Sequence, residues 1–317
     1  MAGFSVNTNE HLIRSNLWSS QIKEVLDTRL MGLNWVDWIT DFPDGDTINI
    51  PSIGQMEVLD YVEGEAVRYT AMDTGNFTFT VNKYKSSATY ITNKMKQDSF
   101  YMSRLVSSFV PKEARALAVA MEVDYFTTFK AAQTAGAANA INGADHRWIG
   151  QGTGESMTIK DFAKANYALN KANVPFSNRV AVVDPSVAYT LETLTNLVNV
   201  SNNPMWEGVI TTGLSDGMRF IKNIYGFDVY VSNLLQVNTQ SEQIGSPTAA
   251  AGVNNLFFSA EASVLPIVGH VRQSPKVDSE YKKDYQREEF VTTCRYDFKA
   301  FRPENIVIVV TDTDVIV

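Results

Sequence analysis

Residues 287–303 read REEFVTTCRYDFKAFRP, one continuous alternation that runs on into a second apolar stretch, IVIVV at 306–310. Phe290, Thr292, Cys294, Tyr296, Phe298 and Ala300 fall on one face of an extended chain, and Thr293, Arg295, Asp297 and Lys299 on the other. Such a strand is well over twice the usual length of roughly 5–6 residues. A long two-faced ribbon suits an extended architecture better than the wall of a compact active site.

The chain has 317 residues, beyond the size at which one core usually suffices, so two lobes are expected. Its 44% hydrophobic and 20% charged residues are those of an ordinary soluble folded protein. A formal net charge of −8 argues against a protein that grips nucleic acid by neutralising phosphates. The single cysteine, Cys294, leaves no internal disulfide and no cysteine-rich metal site. On an apolar strand face it reads as a small core residue and not as a nucleophile, and such cysteine usage fits a reducing cytoplasm. The N-terminus, MAGFSVNTNEHLIRS, has no basic region followed by an apolar one. No stretch approaches the roughly 18 apolar residues that span a bilayer, so no membrane role is expected.

Upstream of the ribbon, residues 9–31 have the spacing of an amphipathic helix, with Leu12, Ile13, Leu17, Ile22, Val25, Leu26 and Leu30 near one face. Gly32 ends it, and Trp35, Val36, Trp38 and Ile39 form an apolar cluster that must dock on its own body or on a neighbour. DTINIPSIG (46–54) and FTFTVNKYKSSATYI (77–91) then alternate as the two strands of a long hairpin. Residues 56–75 between them are acidic and carry too few apolar side chains for a core. An isolated ribbon of two strands is marginal in water, so its stability must come from contact with something else.

Residues 94–109 and 111–132 give the longest helical pattern, divided at Pro111, with Leu117, Met121, Tyr125 and Phe129 every fourth position. That stripe is predicted to lie buried against a sheet or a helix. A Gly/Ala/Asn-rich loop, 134–155, leads to a helix at 158–172 whose apolar side is Phe162, Ala165, Tyr167 and Leu169. NRVAVVDPSVAYTLETL (178–194) reads as a buried strand, a turn at Asp184-Pro185 and a helix. MRFIKNIYGFDVYVSNLL (218–235) reads as two strands joined at Tyr225-Gly226, and 254–271 is an apolar segment interrupted by Pro266. Helices and strands alternate too loosely for βαβ units, which points to an α+β class.

The motifs that could carry chemistry are incomplete. Gly213-Leu214-Ser215-Asp216-Gly217 matches the G-x-S-x-G pattern of a nucleophile elbow, but the residues after Gly217 are strand-like and His270 is the one histidine downstream. Gly150-Gln151-Gly152-Thr153-Gly154 lacks the Lys-Ser or Lys-Thr of a phosphate loop and reads as a flexible loop. His11, His146 and His270 form no i, i+4 pair, and Asp41, Asp44 and Asp46 lack the spacing of a calcium loop, so these read as bland positions and no cofactor is expected. Lys282, Lys283, Arg287, Glu288 and Glu289 mix signs as a solvated or interface-forming face does.

In this order the segments resemble the major capsid (coat) protein of tailed bacteriophages, with the Hong Kong 97-type fold. DTINIPSIG and FTFTVNKYKSSATYI look like the arms of that family's E-loop, and QDSFYMSRLV with EARALAVAMEVDYF looks like its spine helix. NVPFSNRVAVVDPSVAYTL resembles the approach to the A-domain, IYGFDVYVSNLL its Gly-Phe-x-Val-Tyr segment, and REEFVTTCRYDFKAFRPENIVIV the closing peripheral strands. The resemblance implies an N-terminal arm at 1–45, an E-loop hairpin at 46–93, and a spine helix with the first part of the peripheral domain at 94–172. It further implies an A-domain at 173–253, the A-domain exit with long peripheral strands at 254–303, and a returning strand at 304–317.

By the same resemblance the chain is a structural, non-enzymatic subunit. It would assemble as hexamers and pentamers into an icosahedral head shell that encloses double-stranded DNA without reading its sequence. Its place is the virion, and the host cytoplasm during assembly. Scaffolding, portal and cement or decoration proteins are the partner classes it admits, and with an arm-like helix beginning almost at Met1 any scaffold is expected to be a separate chain. Lys83 and Lys85 lie on the E-loop strand, but nothing assigns them a partner for a covalent crosslink. Assembly contacts are expected at the hairpin tip (Glu63, Gly64, Glu65, Arg68, Tyr69, Met72) and on the arm (Leu17, Trp18, Ile22, Trp35, Trp38). Gly226, Phe227 and Cys294 are expected to be structural. A nanocompartment shell of the encapsulin type and a serine hydrolase using Ser215 are the competing readings.

Overall fold

In the computed structural model, the described residues are 31–40, 45, 47–53, 60, 63–64, 66, 74–98, 102–134, 137–193, 220–237 and 252–312. The expected helix at 9–31 therefore lies, up to its last residue, outside them, as do Ser215 and the aspartates 41, 44 and 46.

Two sheets organise the chain. The first has the order β1 (Val36–Trp38), β10 (Ile267–Lys282), β11 (Arg287–Ala300) and β4 (Lys83–Thr92). The ribbon at 287–300 is its central ladder, with Glu288, Phe290, Thr292, Cys294, Tyr296 and Phe298 buried in strict alternation. It stops at Ala300, short of the end expected at 303, and a 3-10 turn at Pro303–Asn305 carries the chain to β12 (Val307–Thr311) in the other sheet. The partner β10, 16 residues long, extends well past the apolar segment expected at 254–271. Pro275 lies in it where the register shifts between Gln273 and Lys276, a position at which a missing N–H costs no regular ladder bond.

The buried face of this sheet meets one long helix. α1 (Asn93–Asp98) precedes α2 (Met102–Ala131), and α2 runs 30 residues straight through Pro111. The expected division at Pro111 is thus corrected: a proline removes one hydrogen bond, to the carbonyl of residue 107, and the remaining ladder carries the helix on. Leu117, Met121, Tyr125 and Phe129 are all buried, in one cluster with Cys294, Tyr296 and Phe298.

The second sheet has the order β5 (Arg147–Ile149), β12, β9 (Val253–Ser259), β6 (Arg179–Val183), β8 (Phe227–Val231) and β7 (Phe220–Ile224). Both of its faces are covered, which is why VAVV and IVIVV read as continuous apolar runs. Val180, Val182, Ile308 and Val310 join the cluster around α2, whereas Ala181, Val183, Val307 and Val309 join a second core beneath α3 (Ile159–Lys171) and α4 (Pro185–Thr193). Within α3 the buried side chains are Asp161, Phe162, Ala165, Ala168 and Leu169. Tyr167, expected on the apolar side, is exposed, and Ala168 takes its place. β5 lies inside the stretch expected to be a loop. The glycine run beside it is also tighter than expected: a Cβ at Gly152 would stand 2.7 Å from the carbonyl oxygen of Ser156, which accepts the Gly152 N–H.

The expected hairpin exists, but it is shorter and is joined differently. β2 (Thr47–Ile53) pairs antiparallel with β3 (Thr74–Thr80), from Thr47 opposite Thr80 to Ile53 opposite Thr74. FTFTVNKYKSSATYI is not one strand of it. The chain leaves β3 after Thr80, and from Lys83 onward β4 pairs with β11, Lys83 opposite Tyr296 and Thr92 opposite Arg287. Val81 is buried where the two ladders part and Asn82 is exposed.

Candidate functional site

Among the described residues the β2–β3 hairpin is a two-stranded sheet that joins neither of the larger ones. Its base is nevertheless anchored. Phe79 and Val81 are buried, with Ile39, Ile48 and Phe77 packed around them. Phe77 stands edge-on to Phe301, ring centres 4.9 Å apart, and Lys299 Nζ lies 4.9 Å from the Phe77 ring centre while donating to the Thr78 carbonyl. Across the ribbon, the Thr47 and Thr80 hydroxyls pair at 3.1 Å and Thr78 Oγ1 donates to Asn49 Oδ1 at 2.9 Å. The contact expected to support the ribbon from outside is supplied, at its base, by the sheet end at Lys299 and Phe301.

At its far end Glu63 and Gly64 form an exposed turn, and Gly64 has φ +90°, which favours glycine. Glu65, Arg68, Tyr69 and Met72 lie outside the described residues, as do Leu17, Trp18 and Ile22 of the arm. The two remaining tryptophans separate. Trp35 is buried in its own subunit, 5.3 Å from Tyr230 and 5.6 Å from Phe258 between ring centres. Its side chain thus has no face for a neighbour, whereas Trp38, 36% exposed beside Phe298, keeps one.

A polar knot that sequence reasoning missed ties β4, β11 and α2 together. Asp124 of α2 accepts from Tyr296 Oη at 2.8 Å through Oδ2, with Lys85 Nζ at 3.4 Å and Lys83 Nζ at 3.7 Å. Burial and the Asp124 charge push the Tyr296 phenol far above its ordinary range. Both lysines named on the hairpin strand thus stand over α2. The backbone N–H of Asn82 donates to Asp297 Oδ2 at 3.0 Å, and Arg295 Nη2 donates to the Val81 carbonyl at 3.0 Å, fixing the point where β3 gives way to β4. No sequence signal joins these residues, because each polar side chain looks solvated on its own strand or helix.

At the other end of β11, Lys96 of α1 bonds Glu288, and Arg287 stacks 4.7 Å from the ring centres of both Tyr90 and Tyr285. Tyr90, Tyr281 and Tyr285 are exposed there. The mixed-charge face expected at 282–289 is this end, except that Glu288 points inward.

Of the residues expected to be structural, Cys294 is free and buried in the α2 cluster, and burial raises its thiol above the usual range. Tyr225 (φ +50°) and Gly226 (φ +84°) form the two-residue turn between β7 and β8. Phe227 is fully buried, edge-on to Phe257 at 5.3 Å and to Phe162 at 6.5 Å between ring centres. Nearby, Arg179 is buried with every reach satisfied locally: Nε donates to the Pro175 carbonyl, Nη2 to Asn170 Oδ1 and the Val174 carbonyl, and Nη1 to Asn166 Oδ1.

Among the described residues no three His, Cys, Asp or Glu side chains converge as a metal site, and no helix is long and apolar enough to cross a membrane. His270 Nδ1 faces the Ile39 carbonyl at 2.7 Å.

Residues 75–309 match the model of a family described as phage capsid protein. A search of curated proteins gives no match. Among solved structures, the capsid of the cyanophage P-SCSP1u superposes with a TM-score of 0.66 at 16% identity, covering 89% of this chain and 88% of that one. The capsid of Ralstonia phage GP4 gives 0.61 at 12% identity, covering 92% of each chain. A virus-like particle from Pyrococcus furiosus gives 0.51 at 11% identity, covering 93% of this chain and 99% of that one.

Proposed function

Because the chain belongs to the phage capsid protein family, whose model spans residues 75–309, it is a structural subunit of the phage head with a Hong Kong 97-like fold, and we propose that it closes that shell by lending its hairpin to a neighbour. The observation that carries this reading is the contrast along β2–β3 between a base fixed on Phe301 and Lys299 and an exposed turn at Glu63-Gly64. Contacts that each subunit gives to one neighbour and receives from another are heterologous, and when the rotation between copies closes they generate rings. Hexamers and pentamers built from such rings make an icosahedral shell. In this reading the arm is 1–45, α2 is the spine, the six-stranded sheet is the core of the A-domain and β10–β11 form the peripheral ribbon.

The net charge of −8 suits a wall along which packed DNA slides without adhering. The subunit assembles in the host cytoplasm alone or with a separate scaffolding chain, and the shell admits portal and cement or decoration proteins as partners. No catalytic step is assigned to the subunit.

Electron microscopy of the purified protein, alone and co-expressed with a scaffold, tests the proposal. Closed shells with hexameric and pentameric capsomers are expected. A protein that stays monomeric at high concentration in both settings would overturn it.

A further inference from the structure

Glu122 sits on α2 with 6% of its surface exposed, inside the contact between the helix and the 3-10 turn Gly32–Trp35. Its carboxyl accepts the Gly32 N–H. The turn fits closely. A Cβ on Gly32 would stand 2.6 Å from Tyr125 Cδ1, and Tyr125 Oη donates to the Trp35 carbonyl at 3.3 Å. Residues 1–30 lead into this turn, which meets α2 through Glu122, Tyr125 and Trp35.

Among the described residues no cation pairs with the buried carboxyl. Gly32, Leu33, Asn34 and Trp35 bring no ionisable side chain to it. On its own helix the facing titratable group is Tyr125, whose phenol is raised by burial and further by the Glu122 charge, while Arg115, two turns earlier, is exposed. A buried carboxylate in that position is costly when charged.

We propose that Glu122 and the Gly32–Trp35 turn form a proton-operated latch for the N-terminal segment, closed while the carboxyl is neutral and loosened as it ionises. Desolvation pushes the group up to about 7, with the Gly32 bond opposing in part. In an opened junction the carboxyl is hydrated and returns toward 4.5, its ordinary value. The closed form therefore binds more protons between those two values. The latch is firmest below pH 4.5, weakens as pH rises through that interval, and changes no further above about 7.

Amide hydrogen exchange of the full-length protein between pH 5 and 8, corrected for intrinsic exchange rates, reads the latch directly. Protection of the Gly32–Trp35 amides should fall by up to about tenfold per pH unit below pH 7 and then level off, because one proton is linked to opening. Glu122→Gln should remove this dependence while leaving protection in β9 and β12 unchanged. A flat wild-type profile overturns the proposal whether or not the variant folds, and so does the same slope in a folded Glu122→Gln protein.

Discussion

Tyr296 on β11 and Asp124 on α2 are joined by a 2.8 Å hydrogen bond that links the central ladder of one sheet to the long helix beneath it. The acceptor is a carboxylate shared with Lys83 and Lys85, so one oxygen pair holds three elements together. Tyr296→Phe keeps the ring in the core and removes the donor. A loss of about 1.5–3 kcal/mol is expected, as for hydrogen bonds to charged groups. Urea denaturation should show a lower midpoint with an unchanged slope.

Cys294→Ala should cost only about 1 kcal/mol, because the thiol is small and its neighbours in the α2 cluster are large. Shells should form as before. The buried thiol, raised above its ordinary range, should react with a disulfide reagent only after denaturant is added. Fast modification of the native protein would contradict this.

Gly226 has open space around its Cβ position, so a side chain there meets no clash and the penalty is that of φ +84° alone. Gly226→Asn should be nearly neutral, since asparagine tolerates this conformation, whereas Gly226→Val should cost about 1–3 kcal/mol. Thermal melts of the two variants compare them. Equal melting temperatures would show that the turn relaxes.

Replacing Glu63–Met72 with a short Gly-Ser turn removes the expected assembly tip and leaves the anchored base, Phe79, Val81 and Phe301, in place. Circular dichroism should be close to that of the wild type while shell formation is lost or misdirected. Trypsin should cut at Arg68 in free subunits and be excluded from it in shells. Normal shells from the shortened chain would remove the tip from assembly.

The sequence made β11 legible because its two faces meet different surroundings, and the alternation of Phe290, Cys294, Tyr296 and Phe298 with polar residues records that difference. Its partner β10 is equally long and was hidden. RQSPKVDSEYK at 272–282 is polar on both sides and contains Pro275, since past Gly269 the strand borders β11 alone and has little core to face. β5 escaped for another reason: three residues beginning with a buried arginine show no period. The Tyr225-Gly226 turn was readable because its chemistry is local. The Asp124 knot and the Glu122 contact were not, because Tyr296 lies 172 residues from Asp124, Gly32 lies on a separate element far upstream of Glu122, and a lone acid on a helix looks solvated.

The break at Val81-Asn82 also decides how force travels through the subunit. A pull on the hairpin enters β4 along its length, where ten consecutive residue pairs with β11 are loaded in shear, so they resist together instead of unzipping one by one. The bonds from Asn82 to Asp297 and from Arg295 to the Val81 carbonyl take the first strain, and Asp124 passes it to α2. Tension applied to the hairpin, as by pressure from within a filled container, is thus delivered to α2, the longest helix among the described residues.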